Sequence, residues 1–201
     1  PEGKGVLLLL TSIAGAIMSF ANLRPSPGAI YLYKRGRYLL GQIMVASFIT
    51  IIVPSSIAFL LFGLFSDSIV SIFMGTDINV NFKTTWIWIL LVSSFIHTLF
   101  SAAEVLLIRD NEMKLYGIKA MGAPIVRIIL TVLLALVMGW GVVGILWSIL
   151  FAKLVGVSVP IYWLKKKGVF NQFRLSINAT KDMLRIGFQQ YGLEIVSMIS
   201  K

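Results

Sequence analysis

Three basic side chains lie inside segments that are otherwise apolar enough to cross a membrane: Arg24, Arg127 and Lys153. A basic residue near the middle of a transmembrane helix costs about 2.5–3.5 kcal/mol on insertion scales, so it rarely faces lipid. The acids within comparable segments are Glu104 and Glu194, which leaves the interior net positive. The three cations therefore predict an interior that holds water or an anion.

An anionic ligand is the simplest partner for surplus buried cations. Phosphate or pyrophosphate is the ligand that guanidinium geometry suits best, so Arg24, Arg127 and Lys153 predict an anionic ligand of this class. For Lys153 a second interpretation stays open, in which its ammonium group reaches along the helix to the membrane interface.

A polar stripe runs along the segment that contains Glu104. Ser94, His97, Ser101 and Glu104 are spaced by three, four and three residues, which places them on one helical face. The stripe either lines a wet cavity or hydrogen-bonds neighbouring helices, and both interpretations stay open. With no second histidine and no cysteine nearby, the sequence predicts no metal site, and it contains no catalytic or cofactor-binding motif; a proton relay at His97 remains a hypothesis.

Two prolines interrupt the first apolar segment directly after Arg24. Pro25 and Pro27 lack the backbone N–H that a helix uses, so the helix is weakest there. Backbone breaks at membrane depth are tolerated where protein or water satisfies the freed groups. The sequence predicts an inward-facing hinge at Pro25 and Pro27.

Composition places the chain in a bilayer. Of its 201 residues, 58% are hydrophobic and only 13% charged. Stretches long enough to span the hydrocarbon layer predict an all-α polytopic membrane protein with five transmembrane helices and the start of a sixth near Leu184: 5–33, 39–65, 85–108, 119–139 and 141–164. The prediction divides it into a bundle (1–164), a basic amphipathic connector (165–182) and the start of a second bundle (183–201), and takes the chain as an internal segment of a longer protein.

The net charge of +10 is concentrated in alternate connections. By the positive-inside rule, connections 34–38, 109–119 and 165–183 are cytoplasmic, and the protein is a multi-pass protein of the plasma or inner membrane. This pattern predicts contact with anionic inner-leaflet headgroups and no nucleic-acid partner. The basic residues that carry the prediction are Lys34, Arg35, Arg37, Arg109, Lys114, Lys119, Lys165, Lys166, Lys167, Arg174, Lys181 and Arg185.

Small residues recur every four positions in the segment that contains Lys153. This seam predicts close helix packing, and the short turn at 138–141 predicts an antiparallel hairpin with the preceding segment. The seam consists of Gly144, Ser148, Ala152, Gly156 and Pro160.

The order of these features resembles the polysaccharide and lipid-linked oligosaccharide flippases of the multidrug/oligosaccharidyl-lipid/polysaccharide exporter superfamily. Residues 1–5 resemble the outward loop after that family's first helix, and Asn22-Leu23 with 28–30 resembles its kinked second helix. Residues 183–192 resemble the amphipathic start of its seventh helix. The chain departs from the family at Arg24-Pro25-Ser26-Pro27, where a glycine-containing apolar segment is usual.

The resemblance implies a transporter with two helical bundles that moves a polyprenyl-pyrophosphate-linked sugar from the inner to the outer leaflet by alternating access. It implies no enzymatic activity, and it leaves the coupling ion undefined. Arg24, Arg127 and Lys153 would contact the anionic substrate, and the stripe from Ser94 to Glu104 would line its route. The alternatives are a multidrug exporter of the same superfamily, a membrane enzyme acting on lipid-linked sugars through Glu104, Asp110 and Glu112, and a non-transporting membrane scaffold.

Overall fold

The computed structural model describes the backbone of residues 2–21, 25–74 and 84–199, and side chains at 8, 10–18, 25–65 and 85–190. All regular structure in these ranges is helical, as predicted. The helices are α1 (Glu2–Ala21), α2 (Pro25–Arg35), α3 (Leu40–Met74), α4 (Thr84–Leu99), α5 (Ser101–Arg109), α6 (Met113–Thr131), α7 (Gly141–Lys166) and α8 (Ile177–Ile199). A π-helical turn at Val132–Val137 extends α6, and a short 3-10 helix spans Val169–Gln172.

Four helical segments are long and apolar enough to cross a membrane: Leu40–Phe65, Thr85–Arg109, Met113–Val137 and Gly141–Lys166. The chain is therefore a polytopic membrane protein by length and composition. The remaining predicted span, 5–33, covers parts of α1 and α2, and its residues 22–24 lie outside the described part of the chain.

The prolines of the first segment lie in the first turn of α2. Pro25 is its first residue and is buried, and Pro27 follows two positions later. Because the first backbone N–H groups of a helix have no intrahelical acceptor, prolines here begin a helix without breaking a hydrogen bond. The hinge predicted at Pro25 and Pro27 stays a prediction.

The third span is divided at Phe100. Its backbone (φ −101°, ψ 4°) separates α4 from α5, and the Glu104 N–H bonds the Phe100 carbonyl to restart the helix. The polar stripe therefore lies on two helices, with Ser94 and His97 on α4 and Ser101 and Glu104 on α5.

Helices α6 and α7 form the antiparallel hairpin predicted from the short turn. The small-residue seam is also confirmed, because all five of its members are buried on α7. At Gly144 a Cβ atom would lie 2.7 Å from the Ala135 nitrogen, so only glycine permits this approach to the π-helical turn. On α6 itself no described residue is buried, and its outer surface is apolar and exposed.

Four helix boundaries differ from the sequence prediction. Helix α6 begins at Met113, not 119, and α3 continues beyond a non-helical Phe65 (φ −116°, ψ 16°) to Met74. Helices α7 and α8 extend into both ends of the predicted connector, which leaves 167–176 between them. The start of α6 was predicted too late because Lys114 and Lys119 were interpreted as loop charges, whereas both lie on α6.

Two apolar cores hold the bundle together. One joins α2, α3, α5, α7 and α8 and contains fully buried Trp163; the other joins α1, α3, α4 and α7 around Phe62 and Leu91. The first core adjoins the α2–α3, α5–α6 and α7–α8 connections, which meet at one end of the bundle. We call this end, which contains residues 36–39, 110–112 and 167–176, the basic end.

Candidate functional site

A small pocket lies between α4, α6 and α7. Its volume is about 170 Å³, and its polar side chains are His97, Lys119 and Lys153. Ala152 and Gly156 of the seam form part of its wall. Because small residues bring α7 close to α6, the helix packing itself places Lys119 and Lys153 around one pocket.

Glu104 is paired with Lys119. The Lys119 ammonium contacts Glu104 Oε2 directly, and the two side chains are 13% and 22% exposed, respectively. Sequence analysis placed Lys119 in a cytoplasmic connection, so its contribution to the site was missed. The signal that could have found it is the run Gly117 to Ala123, whose small residues favour helix packing over a solvated loop.

Lys153 has no acidic partner among the residues whose side chains are described. It is half-buried and shares the pocket with Lys119, whose charge is already balanced by Glu104. A buried charge is stable only with compensating groups, which can be water, a polar neighbour or an ion. The pocket therefore has one positive charge in surplus while His97 is neutral.

Some residues of the polar stripe contact neighbouring helices, and another lines the pocket. Ser26 Oγ donates a hydrogen bond to Ser101 Oγ (3.1 Å), and Ser101 Oγ donates to the Thr98 carbonyl (2.7 Å). Ser101 and Glu104 thus connect α5 to α2 and α6, as the helix-contact interpretation requires. His97 lines the pocket, as the cavity interpretation requires. Ser94 is half-buried on α4 and does not line this pocket.

Of the two predicted arginines the structure describes only Arg127, which does not line the pocket. Arg127 is exposed on α6, two turns beyond Lys119, and forms no ion pair with any described side chain. Arg24 lies outside the described residues. The neighbouring Ser26 contact nevertheless places the proline segment against the polar stripe at Ser101.

Hydrogen-bonded ion pairs hold the basic end. Tyr33 donates a hydrogen bond to Asp110 Oδ1 (2.6 Å), and the Lys167 ammonium lies 2.6 Å from Oδ2. Burial opposes ionisation of Asp110, but the hydrogen bonds from Lys167 and Tyr33 outweigh it and lower its pKa. The hydrogen bond with Asp110 raises the pKa of Lys167. A second pair, Lys166 with Glu112 (3.2 Å), joins the same connections.

The side chains at the site include several that suit an anion. Glu104, Asp110 and Glu112 each pair with a lysine. Lys153 and His97 can donate hydrogen bonds to a phosphate-sized group.

Comparison with protein-family models, curated proteins and solved structures finds no match.

Proposed function

We propose that this protein is a multi-pass transporter that moves a polyprenyl-pyrophosphate-linked oligosaccharide from the inner to the outer leaflet by alternating access, for cell-surface polysaccharide biosynthesis. The observation that carries the proposal is Lys153, a half-buried cation without an acidic partner in the described bundle, beside a pocket. The resemblance of 183–192 to a flippase helix supports the same class of substrate.

The size of the pocket limits what it would hold. Pockets for drug-sized ligands measure about 300–1,000 Å³, whereas this one measures about 170 Å³. It would accommodate one anionic group, while the oligosaccharide occupied space outside the pocket and the polyprenyl chain stayed in lipid.

The pairing of Glu104 weighs against export of cationic drugs. A free acid in the cavity would favour a cationic substrate, whereas Lys119 neutralises Glu104 in the described bundle. The pairing of Asp110 and Glu112 with lysines similarly disfavours an enzyme that uses an acidic cluster at this end. Transport of an anion is the function these contacts favour.

A substrate comparison tests the proposal. The protein is reconstituted in liposomes with three labelled substrates: a pyrophosphate-linked glycolipid, a neutral glycolipid with the same sugar, and a lipophilic cationic dye. Leaflet exposure of the glycolipids is read with a membrane-impermeant sugar-modifying reagent, and dye movement by fluorescence. We expect protein-dependent translocation of the pyrophosphate-linked glycolipid at least about tenfold faster than of the other two. Equal rates for both glycolipids, or preference for the dye, would refute the proposal.

A further inference from the structure

A second pocket lies at the basic end, between α2 and α8. Its volume is about 500 Å³, within the range typical of ligand sites. Arg35 and Arg37 reach it from the end of α2 and the following turn, and Arg185 from α8. None of these residues belongs to the pocket around Lys153.

The surplus positive charge in this pocket is larger than at Lys153. Three guanidinium groups face one carboxylate, Asp182. The Tyr38 hydroxyl donates a hydrogen bond to Asp182 Oδ2 (2.7 Å), and Asp182 forms no ion pair with any described cation. The three arginines therefore retain N–H donors for a ligand.

Aromatic rings support two of the guanidinium groups. Arg35 lies 4.6 Å from the centre of the Tyr31 ring, and Arg37 lies 5.7 Å from that of Tyr38. A cation–π contact restricts the motion of a guanidinium group, so less entropy is lost when an anion binds.

Helix α8 completes the pocket with one continuous face. Asp182, Arg185, Ile186 and Gln189 line it at spacings of three, one and three residues, which keeps them on the same side of the helix. The Gln189 amide adds a donor beside the arginines, and Ile186 with Leu32 supplies apolar wall.

We infer that the pocket formed by Arg35, Arg37 and Arg185 is a phosphate-binding site for a phosphomonoester or pyrophosphate group. Guanidinium groups bind these oxygens bidentately, and three arginines lining one pocket match a group with two or more negative charges. The ligand group belongs either to a lipid headgroup or to a soluble phosphate compound. The inference does not depend on the proposed transport activity.

Binding assays with two probes test the site and distinguish the sources. Inorganic pyrophosphate is titrated into the protein held in nanodiscs of zwitterionic lipid, by calorimetry. In the second arm, dioleoyl phosphatidic acid bound to the detergent-purified protein is counted by native mass spectrometry. The test variant is Arg35→Gln with Arg185→Gln, and the control is the double variant Arg174→Gln with Lys114→Gln, which removes two exposed positive charges elsewhere.

We expect saturable binding of at least one probe, weakened about tenfold or more in the test variant and less than about twofold in the control. Binding of pyrophosphate without phosphatidic acid favours a soluble phosphate compound, and binding of phosphatidic acid alone favours a lipid headgroup. Absence of saturable binding to both probes would overturn the inference, as would equal weakening in both variants. Equal thermal unfolding midpoints of the three proteins ensure that weaker binding reflects the lost arginines and not misfolding.

Discussion

At the scale of single residues, Lys119 and Lys153 differ in the groups that balance their positive charges. Lys119 contacts Glu104, whereas Lys153 has no acidic partner among the described side chains. This difference could not be predicted from the sequence, because Lys119 resembles a loop charge and the partner of Glu104 depends on how α5 meets α6. Half-burial of Lys153 agrees with its predicted place inside a span.

Removing Glu104 should leave Lys119 as an uncompensated charge. Because breaking one side of a partly buried ion pair is costly, Glu104→Gln should destabilise the folded protein by about 1–3 kcal/mol. Adding Lys119→Met should restore much of the loss. Unfolding of the purified protein in detergent measures both effects.

The exposed pair Lys166–Glu112 is the control. Lys166 is 51% exposed, so Lys166→Gln should cost less than about 1 kcal/mol. If Glu104→Gln were as mild as Lys166→Gln, the Glu104 contact would be unimportant for stability.

Acid should weaken the basic end through Asp110. Its pKa is lowered in the folded protein, so the unfolded chain takes up this proton first as pH falls. The stabilisation is complete above the unfolded pKa, about 4, and is lost as pH falls through the lower folded pKa. Thermal unfolding midpoints between pH 7 and pH 3 should therefore fall less steeply in Asp110→Asn than in the wild type. Parallel curves for the two proteins would contradict the role of Asp110.

At the scale of helices, the hairpin of α6 and α7 builds the pocket. Residue spacing was sufficient to predict its small-residue seam and its turn, because both are local patterns. The break at Phe100 and the π-helical turn carry no proline or other local signal in the sequence, and they depend on contacts with other helices. The proline pair predicted a hinge, but spacing alone could not show that Pro25 is the first residue of α2.

Gly144 should be essential to this hairpin. A methyl group there would collide with the backbone of Leu134 and Ala135, both 2.7 Å from the added Cβ. Gly144→Ala should therefore destabilise the protein by about 1–3 kcal/mol. The matched change Gly117→Ala, on α6 with nothing within 4 Å of the added Cβ, should be neutral or stabilising by up to about 1 kcal/mol. Unfolding in detergent that ranked the two variants alike would contradict the close approach.

At the scale of the whole molecule, the three basic connections lie together. Contacts of Asp110 with Tyr33 and Lys167 join the α2, α5–α6 and α7–α8 regions at one end, as an alternating topology requires. Sequence predicts this arrangement because basic residues mark alternate connections. Which side of the membrane this end faces remains a prediction.

Cysteine labelling tests the orientation, since the chain has no cysteine of its own. Lys114→Cys and Asn171→Cys at the basic end should react with a membrane-impermeant maleimide only after cells are opened. Met138→Cys, exposed in the turn at the opposite end, should react in intact cells. The reverse pattern would show that the basic end faces outward.

The central claim is that the uncompensated charge of Lys153 serves transport of an anionic substrate. Its most direct test is the leaflet-resolved translocation rate of a pyrophosphate-linked glycolipid in proteoliposomes containing Lys153→Met, Lys153→Arg or the control Lys165→Gln, an exposed lysine of the same helix. Loss of one charge-assisted contact predicts a rate about tenfold or more below wild type for Lys153→Met. Lys153→Arg should recover part of the rate, and Lys165→Gln should remain within about twofold of wild type. A wild-type rate in Lys153→Met, with the protein folded and inserted, would contradict the account.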